Sequence, residues 1–131
     1  MKYLADSDWV ADYLKGRPAA VQLLDSLFTD GLAISIITFA EVYEGIYYST
    51  DPNHNEGVFR RFLEGIPVLG INRTIARRFA LARGELRAKG QLTSQTDLFI
   101  AVTAIYHNLT VVTRNYRDFQ RIPGLKLYQP S

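Results

Sequence analysis

The sequence has no cysteine and only two histidines, and both shortages restrict the kinds of site that it can form. Without cysteine there are no disulfides and no thiolate zinc sites, and the composition suits a reducing compartment. His54 and His107 stand far apart with no ligand-like spacing, which argues against a histidine-rich metal site. We therefore expect any metal site to use oxygen ligands, which suit Mg²⁺ or Mn²⁺.

Long hydrophobic runs are also absent. No apolar run approaches the ~20 residues that are needed to cross a bilayer. The opening residues 1–6 show neither the apolar core nor the cleavage site of a signal peptide. We therefore expect a cytoplasmic protein with no membrane partner. Residues 1–131 are enough for a single domain, which would bury roughly two-thirds of its unfolded surface.

Positive charge is in slight excess, with 15 Lys and Arg against 13 Asp and Glu. If four of these acids surround a metal, the 15 basic residues face nine remaining acids, a surface excess of six positive charges. Most of the basic residues are arginines, which suit bidentate phosphate contact better than lysines do. A slightly basic soluble protein is the plain interpretation, and a nucleic-acid partner is the more specific one.

Hydrophobic periodicity predicts the order β-α-α-β-α-α-β-α-α-β-turn-β, without linkers or internal repeats. Pro18 marks the first turn of one helix and Asn72 the cap of another. Pro67 indicates an edge strand, because proline cannot donate to a central ladder. This alternation predicts a three-layer α/β/α fold with a central parallel sheet of four to five strands. We expect strands at 3–5, 32–36, 66–71 and 109–113, and helices at 18–28, 38–49, 51–64, 73–89 and from 97 onward.

Four carboxylates lie where predicted strands end and helices begin: Asp6, Glu41, Asp97 and Asp118. Because the carboxyl ends of parallel strands meet at one edge of a sheet, we expect the four to gather there. Two carboxylates ~4 Å apart repel by about 4 kcal/mol at an effective dielectric of 20, whereas a helix N-terminus stabilises a nearby carboxylate by only ~0.3–1 kcal/mol. Unless some acids are protonated, the cluster predicts a divalent cation. A metal on a basic protein indicates chemistry on nucleic acid.

Most of these acids also have a purely structural interpretation. Thr38-x-x-Glu41 and Ser94-x-x-Asp97 both match a capping box, in which the acid satisfies a backbone N–H at a helix start. Asp118 lies in a predicted turn, where such side chains bond locally. Asp6 differs, because a carboxylate at the end of a buried apolar strand has no comparable structural role.

The predicted helix 73–89 is rich in arginine and contains the single acid Glu85. Apolar residues recur on its other side at helical spacing, which predicts one buried and one solvated face. A solvated charged face is the ordinary interpretation of such a helix. Contact of these arginines with the phosphates of a nucleic acid is the more specific interpretation, and it would make nucleic-acid binding depend steeply on salt concentration. On that hypothesis the RNA-binding residues are Arg73, Arg77, Arg83, Arg87 and, from the last predicted turn, Arg114.

Three segments of the sequence resemble PIN domains, and most closely the VapC-type ribonuclease toxins of toxin–antitoxin pairs. They are Leu-Ala-Asp-Ser-Asp at 4–8, Thr-Phe-Ala-Glu-Val-Tyr-Glu-Gly at 38–45, and the stretch 97–119 with its core Leu-Thr-Val-Val-Thr-Arg-Asn-Tyr-Arg-Asp-Phe. Ile-Pro-Gly-Leu at 122–125 continues the last of these. The resemblance covers essentially the whole chain in order and spacing.

The resemblance implies a PIN-like fold and an endoribonuclease that depends on Mg²⁺ or Mn²⁺. In the family, metal-activated water attacks the scissile phosphate in line and leaves 5′-phosphate and 3′-hydroxyl ends. The acids that match the catalytic and metal-binding quartet are Asp6, Glu41, Asp97 and Asp118, and the polar residues that match supporting positions are Ser7, Thr113 and Asn115.

The resemblance also implies protein partners. Family members usually form homodimers and are silenced by a cognate antitoxin, whose tail lies in a groove and often inserts a basic side chain into the site. The predicted aromatic helix 39–48 would then form a wall of that groove, although core packing is the default interpretation of its rings. Two residues depart from the family pattern: Asp8, a possible fifth acid near the metal, and Trp9, which is bulkier than the usual aliphatic residue.

Other functions fit the sequence less well. The opening Asp6-Ser7-Asp8 also suits a haloacid-dehalogenase-like phosphatase, but of the four lysines only Lys89 could serve as its catalytic lysine. A receiver domain would need an acid near Ile71, where there is none. A PIN module that binds RNA or antitoxin without cutting is the remaining alternative. The sequence does not name the RNA, the antitoxin or the number of metal ions.

Overall fold

The computed structural model describes residues 1–129 as a five-stranded sheet with helices on both faces. The elements follow the predicted order, and the predicted turn near the end is a short helix. The strands are β1 (Tyr3–Ala5), β2 (Leu32–Ser35), β3 (Val68–Leu69), β4 (Thr110–Val112) and β5 (Lys126–Leu127). The helices are α1 (Ser7–Leu14), α2 (Pro18–Phe28), α3 (Ile36–Tyr47), α4 (Pro52–Leu63), α5 (Arg73–Ala88), α6 (Gln95–Tyr106) and α7 (Tyr116–Phe119).

The sheet is parallel throughout and has the strand order β3-β2-β1-β4-β5. The chain therefore winds outward from β1 through β2 to β3 and then crosses to the other side of β1. This reversal creates a topological switch point between β1 and β4, where open α/β sheets keep their sites. β3 is an edge strand, as Pro67 predicted, but it spans only two residues of the expected 66–71.

Two hydrophobic cores lie on opposite faces of the sheet, which confirms the predicted three-layer fold. Along β1, Tyr3 and Ala5 pack into one core and Leu4 into the other, because successive side chains of a strand alternate between faces. The Leu4 core includes α5 and α6 residues such as Ile75 and Leu98. Since β1 is buried on both faces, its sequence is a continuous apolar run, as expected of a central parallel strand.

Most helix boundaries agree with the sequence-based prediction. α2 has the predicted limits, and Asn72 caps α5 by accepting a hydrogen bond from the Ile75 N–H at 2.8 Å. The predicted start of α3 at residue 38 is wrong. Ser35 is its cap, with Oγ accepting from the Thr38 N–H at 3.0 Å, so the helix begins two residues earlier at Ile36. Within residues 1–129, no helix combines the length and apolar character that spanning a membrane requires.

Candidate active site

Asp6 lies at the switch point, directly after β1. Its backbone N–H donates to the Val112 carbonyl at 2.9 Å, which ties it to the end of β4. One carboxylate oxygen accepts from the Ser7 N–H and the other from the Thr113 hydroxyl, both at 2.7 Å. With 7% of its surface exposed, Asp6 is the one buried carboxylate among residues 1–129. The two neighbouring strands therefore hold this acid in a single orientation.

Asn115 connects two of the other acids. Its side-chain N–H₂ donates to Asp97 at 2.9 Å and to Asp118 at 3.1 Å. Asp97 lies in the first turn of α6, which begins at Gln95 and not at the predicted residue 97, and Asp118 lies on α7. The Asn115 backbone N–H donates to the Thr113 hydroxyl at 3.0 Å. A continuous chain of hydrogen bonds thus runs from Asp6 through Thr113 and Asn115 to two further carboxylates.

Asp97 also has part of the capping role that the sequence suggested. Ser94 caps α6, and its hydroxyl accepts from the Asp97 backbone N–H at 3.2 Å. That bond uses the backbone of Asp97, and the carboxylate remains able to accept from Asn115. The structural and the functional interpretations of Ser94-x-x-Asp97 are therefore compatible.

Glu41 reaches the site differently from the prediction. It does not open α3 and takes no part in a capping box with Thr38, because α3 begins at Ile36 and Glu41 lies in mid-helix. Its carboxylate instead accepts from the Ser7 hydroxyl at 2.6 Å. Since the Ser7 backbone N–H binds Asp6, Ser7 links Glu41 to the buried acid.

The electrostatics of the site show uncompensated negative charge. Burial raises the pKa of Asp6, and the charges of Asp97 and Asp8 raise it further. Burial likewise raises the pKa of Asp97, with added repulsion from Asp118 and Asp8. In the described part of the chain the only ion pair to these four acids joins Arg121 to Asp118, at 3.7 Å. Asp8, which departs from the family pattern, therefore adds to the negative electrostatic potential around Asp6 and Asp97.

This donor set fits a hard divalent cation. The side chains present oxygen ligands only. Burial is the main cause of the raised pKa values of Asp6 and Asp97, and a cation would offset both that burial and the added repulsion between the acids. Within residues 1–129, no three Asp, Glu or His side chains converge into a ready-made coordination shell. Mg²⁺ does not need one, because it usually keeps several waters and binds through one or two carboxylates and substrate phosphates.

The arginines of α5 are divided along the helix. α5 packs against α6, and the short connection 89–94 makes the two helices antiparallel. The half of α5 with Arg83 and Arg87 leads into the connection to α6, whose first turn carries Asp97. Arg73 and Arg77 lie on the first half of α5, and both are exposed.

Arg114, the remaining arginine of the RNA-binding hypothesis, has contacts within the protein. Its guanidinium lies 3.9 Å from the ring centroid of Trp9, and its Nη1 donates to Asp12 at 2.6 Å. Asp12 also pairs with Arg17 at 3.2 Å. The sequence analysis missed Asp12, since no local pattern connects it with a residue 102 positions away.

A groove of about 490 Å³ leads away from the acids between α1, α3 and α4. Ser7, Asp8 and Glu41 line its polar end. The rest is lined mainly by small and aliphatic residues, among them Leu14, Val42, Gly45, Ile46 and Val58. Helix α3 is therefore a groove wall, but its rings do not line the groove. Phe39, Tyr43 and Tyr47 pack against one another as tilted pairs, and Tyr47 is 64% exposed.

Comparison with known proteins agrees with this arrangement. A profile of the PIN domain family matches residues 3–125. The tRNA(fMet)-specific endonuclease VapC of Salmonella typhimurium is 32% identical over 127 residues, which cover 97% of this chain and 96% of the relative. The chain belongs to the PIN domain family and to its VapC branch. The resemblance noted in the sequence is thereby confirmed.

Solved structures support the same assignment of this PIN domain. DNA-bound VapBC from Salmonella typhimurium has a chain with a TM-score of 0.89 and 31% identity, covering 98% of this chain and 97% of that one. A toxin–antitoxin complex from Klebsiella pneumoniae has a chain with a TM-score of 0.77 and 32% identity, covering 98% of this chain and 100% of that one. The predicted PIN-like architecture is therefore confirmed.

Proposed function

We propose that this PIN domain is an endoribonuclease, the toxin of a type II toxin–antitoxin pair, and that it hydrolyses RNA phosphodiester bonds with Mg²⁺ or Mn²⁺ as cofactor. The observation that carries the proposal is the buried Asp6 at the switch point, which accepts a hydrogen bond from Thr113, is linked through Thr113 to Asn115, and feels the charge of Asp97 without a cationic partner among residues 1–129. The proposal takes residues 1–131 as one nuclease domain, of which the PIN match covers 3–125.

Asp6 and Asp97 are the residues best placed to hold the cation, with Asp118 and Glu41 completing the acidic set. When bound there, a divalent cation supplies Lewis acidity that lowers the pKa of water and neutralises charge on phosphoryl oxygens. Thr113 fixes the Asp6 carboxylate from one side, and Asn115 keeps Asp97 and Asp118 at a set separation. These neutral donors orient the acids without cancelling the charge that attracts a cation.

Glu41, held by Ser7, is the residue to which we assign proton transfer from the attacking water. The Ser7 hydroxyl binds Oε1 of Glu41 and leaves Oε2 for another proton. We assign to Oε2 the acceptance of a proton from the attacking water, whose oxygen forms the new bond to phosphorus. The bond to the 3′-oxygen breaks in the same displacement, and the 3′-oxyanion takes a proton from solvent, which leaves a 3′-hydroxyl and a 5′-phosphate.

The partners follow from the same family membership. The neighbour from Klebsiella pneumoniae is a toxin–antitoxin complex, which supports a cognate antitoxin for this chain. We further propose that the protein works in the cytoplasm as a homodimer. Its RNA would be bound mainly by Arg83 and Arg87, on the half of α5 that leads to α6, and more weakly by Arg73 and Arg77. Arg114 has a different main role, which the next subsection proposes.

Cleavage of RNA by the purified protein tests the proposal. Total cellular RNA and isolated tRNA(fMet) are incubated with Mg²⁺, Mn²⁺ or EDTA, with Asp97→Asn in parallel. The tRNA is the first defined substrate because the Salmonella typhimurium relative is named as specific for it. We expect discrete fragments that need the metal and are absent with the variant. Fragments that persist in EDTA, or that Asp97→Asn produces equally well, would contradict the proposal.

A further inference from the structure

A clamp of three side chains joins α1 to the loop that follows β4. It consists of Trp9, Asp12 and Arg114: the guanidinium lies 3.9 Å from the indole centroid and binds the Asp12 carboxylate at 2.6 Å. The contacts use both binding modes of a guanidinium, which can stack through its face and donate hydrogen bonds through its edge. Lysine could replace the charge but not this combination.

The two segments that the clamp joins both carry residues of the candidate active site. Arg114 lies between Thr113, which binds Asp6, and Asn115, which binds Asp97 and Asp118. On the other side, α1 is capped by Asp6 and carries the clamp residues in its first two turns. Displacement of Arg114 would therefore move both neighbours that hold the acids.

Two backbone hydrogen bonds of Asn115 hold the loop locally: its N–H donates to the Thr113 hydroxyl at 3.0 Å, and its carbonyl accepts from the Phe119 N–H at 3.2 Å. β4 ends at Val112, and Asn115, at the cap position of α7, forms no side-chain capping hydrogen bond; its side-chain N–H₂ donates to the acids. Trp9 in turn has a buried indole N–H without a hydrogen-bond partner among the described residues. Packing and the guanidinium, and not an indole hydrogen bond, therefore set the orientation of the ring.

We propose that Arg114 is a positioning residue, which acts through Trp9 and Asp12 to hold Thr113 and Asn115 in register with Asp6 and Asp97. For its kinetic part the inference rests on the proposed nuclease function. On this inference the main role of Arg114 is positioning and not contact with an RNA phosphate. The reason is that Nη1 of the guanidinium already binds Asp12 and one face of the guanidinium lies on Trp9. The same inference also gives a function to Trp9, the residue that departs from the family pattern.

Arg114→Lys is the decisive variant, with Arg117→Lys as its matched control. Both keep the positive charge, and Arg117 is exposed, lies on α7 next to the same site and forms no ion pair within residues 1–129. Trp9→Leu removes the other half of the clamp. Each full-length variant is first checked by thermal unfolding, so that Arg114→Lys keeps the test valid if Trp9→Leu does not fold.

The first measurement is amide hydrogen exchange by NMR on the metal-free protein. The Ser7 and Asn115 N–H groups, which donate to Asp6 and Thr113, should exchange about tenfold faster in Arg114→Lys and Trp9→Leu because the loop opens more readily. Arg117→Lys should leave both rates unchanged. Equal exchange in Arg114→Lys and Arg117→Lys would overturn the inference, whether or not the protein cuts RNA.

The second measurement separates positioning from RNA contact. Because misplaced groups impair the chemical step, Arg114→Lys should lower kcat about tenfold with KM within about twofold. A rise in KM with kcat retained, together with a shallower salt dependence, would show phosphate contact and overturn the inference. If the wild-type protein cuts no RNA, the proposed function fails, and hydrogen exchange alone decides the role of Arg114.

Discussion

Two aspartates at the start of the chain, six residues apart, have opposite environments. Asp6 is buried against neutral donors, and burial raises its pKa. Asp12 lies nearer the surface between Arg114 and Arg17, and the hydrogen bond from Arg114 lowers its pKa. Asp12 is thus compensated within the protein, whereas Asp6 has no cationic partner among residues 1–129. On the proposed function, Asp12 supports the site and Asp6 acts in it.

Replacing each aspartate by asparagine should give the largest contrast. Asp6→Asn keeps the shape but removes a ligand charge, so we expect turnover to fall at least about 10²-fold. Asp12→Asn leaves the acids in place and only loosens the clamp, so we expect a loss of about tenfold at most. Cleavage rates on one RNA with saturating Mg²⁺ provide the measurement. Equal losses in both variants would remove the distinction.

The pH dependence of stability should differ in sign between the two regions. Asp6 and Asp97 have folded-state pKa values above the ordinary aspartate value of 3.8, so their ionisation destabilises the metal-free protein as pH rises from 3.8 through their raised pKa values. Asp97→Asn should therefore be more stable than wild type at pH 7, by up to about 1 kcal/mol after solvent screening, and nearly equal to it at pH 3.

Asp12 contributes in the opposite sense. Its lowered pKa adds stability above its unfolded pKa, and that stability is lost as pH falls through the folded value. Asp12→Asn should therefore be less stable than wild type at pH 7 and converge with it in acid. Urea unfolding in EDTA at both pH values measures the two variants side by side. A destabilised Asp97→Asn at pH 7 would show that its carboxylate is structural.

The smallest effect should come from Arg17, the outer partner of Asp12. Its side chain is 62% exposed, whereas that of Arg114 is 42% exposed and also lies against Trp9. Because exposed ion pairs contribute little, Arg17→Gln should change kcat less than about twofold. Steady-state kinetics of Arg17→Gln, measured alongside Arg114→Lys, would show whether the clamp depends on Arg114 alone, the arginine that stacks on Trp9. A kcat loss equal to that of Arg114→Lys would mean that both arginines are needed.

The sequence predicted the fold where local signals are strong. Pro18 and Asn72 marked the starts of α2 and α5, and the apolar run 3–5 indicated the buried strand β1. The start of α3 was misplaced because β2 passes directly into the helix at a buried serine, Ser35, with no break in the apolar pattern. A strand-to-helix junction without a turn leaves no signal in hydrophobic periodicity.

The candidate site was predictable in outline but not in its connections. The rule that ligands bind at the carboxyl ends of parallel strands places Asp6, which follows β1, but not Asp97, which follows helix α5 and not a strand. It does not predict that Asn115 bridges two acids or that Ser7 binds Glu41, because those bonds depend on side-chain rotamers. The pairing of Arg114 with Asp12 spans 102 residues and has no local signal at all.

Calorimetric titration of Mn²⁺ into the wild-type protein, Asp97→Asn and Asp12→Asn tests the central claim most directly. The claim is that the acids around Asp6 hold a cation, whereas Asp12 is already neutralised. We predict saturable binding to wild type, binding at least about tenfold weaker to Asp97→Asn, and a much smaller change in Asp12→Asn. Absence of saturable binding to wild type, or equal affinity for wild type and Asp97→Asn, would contradict the account.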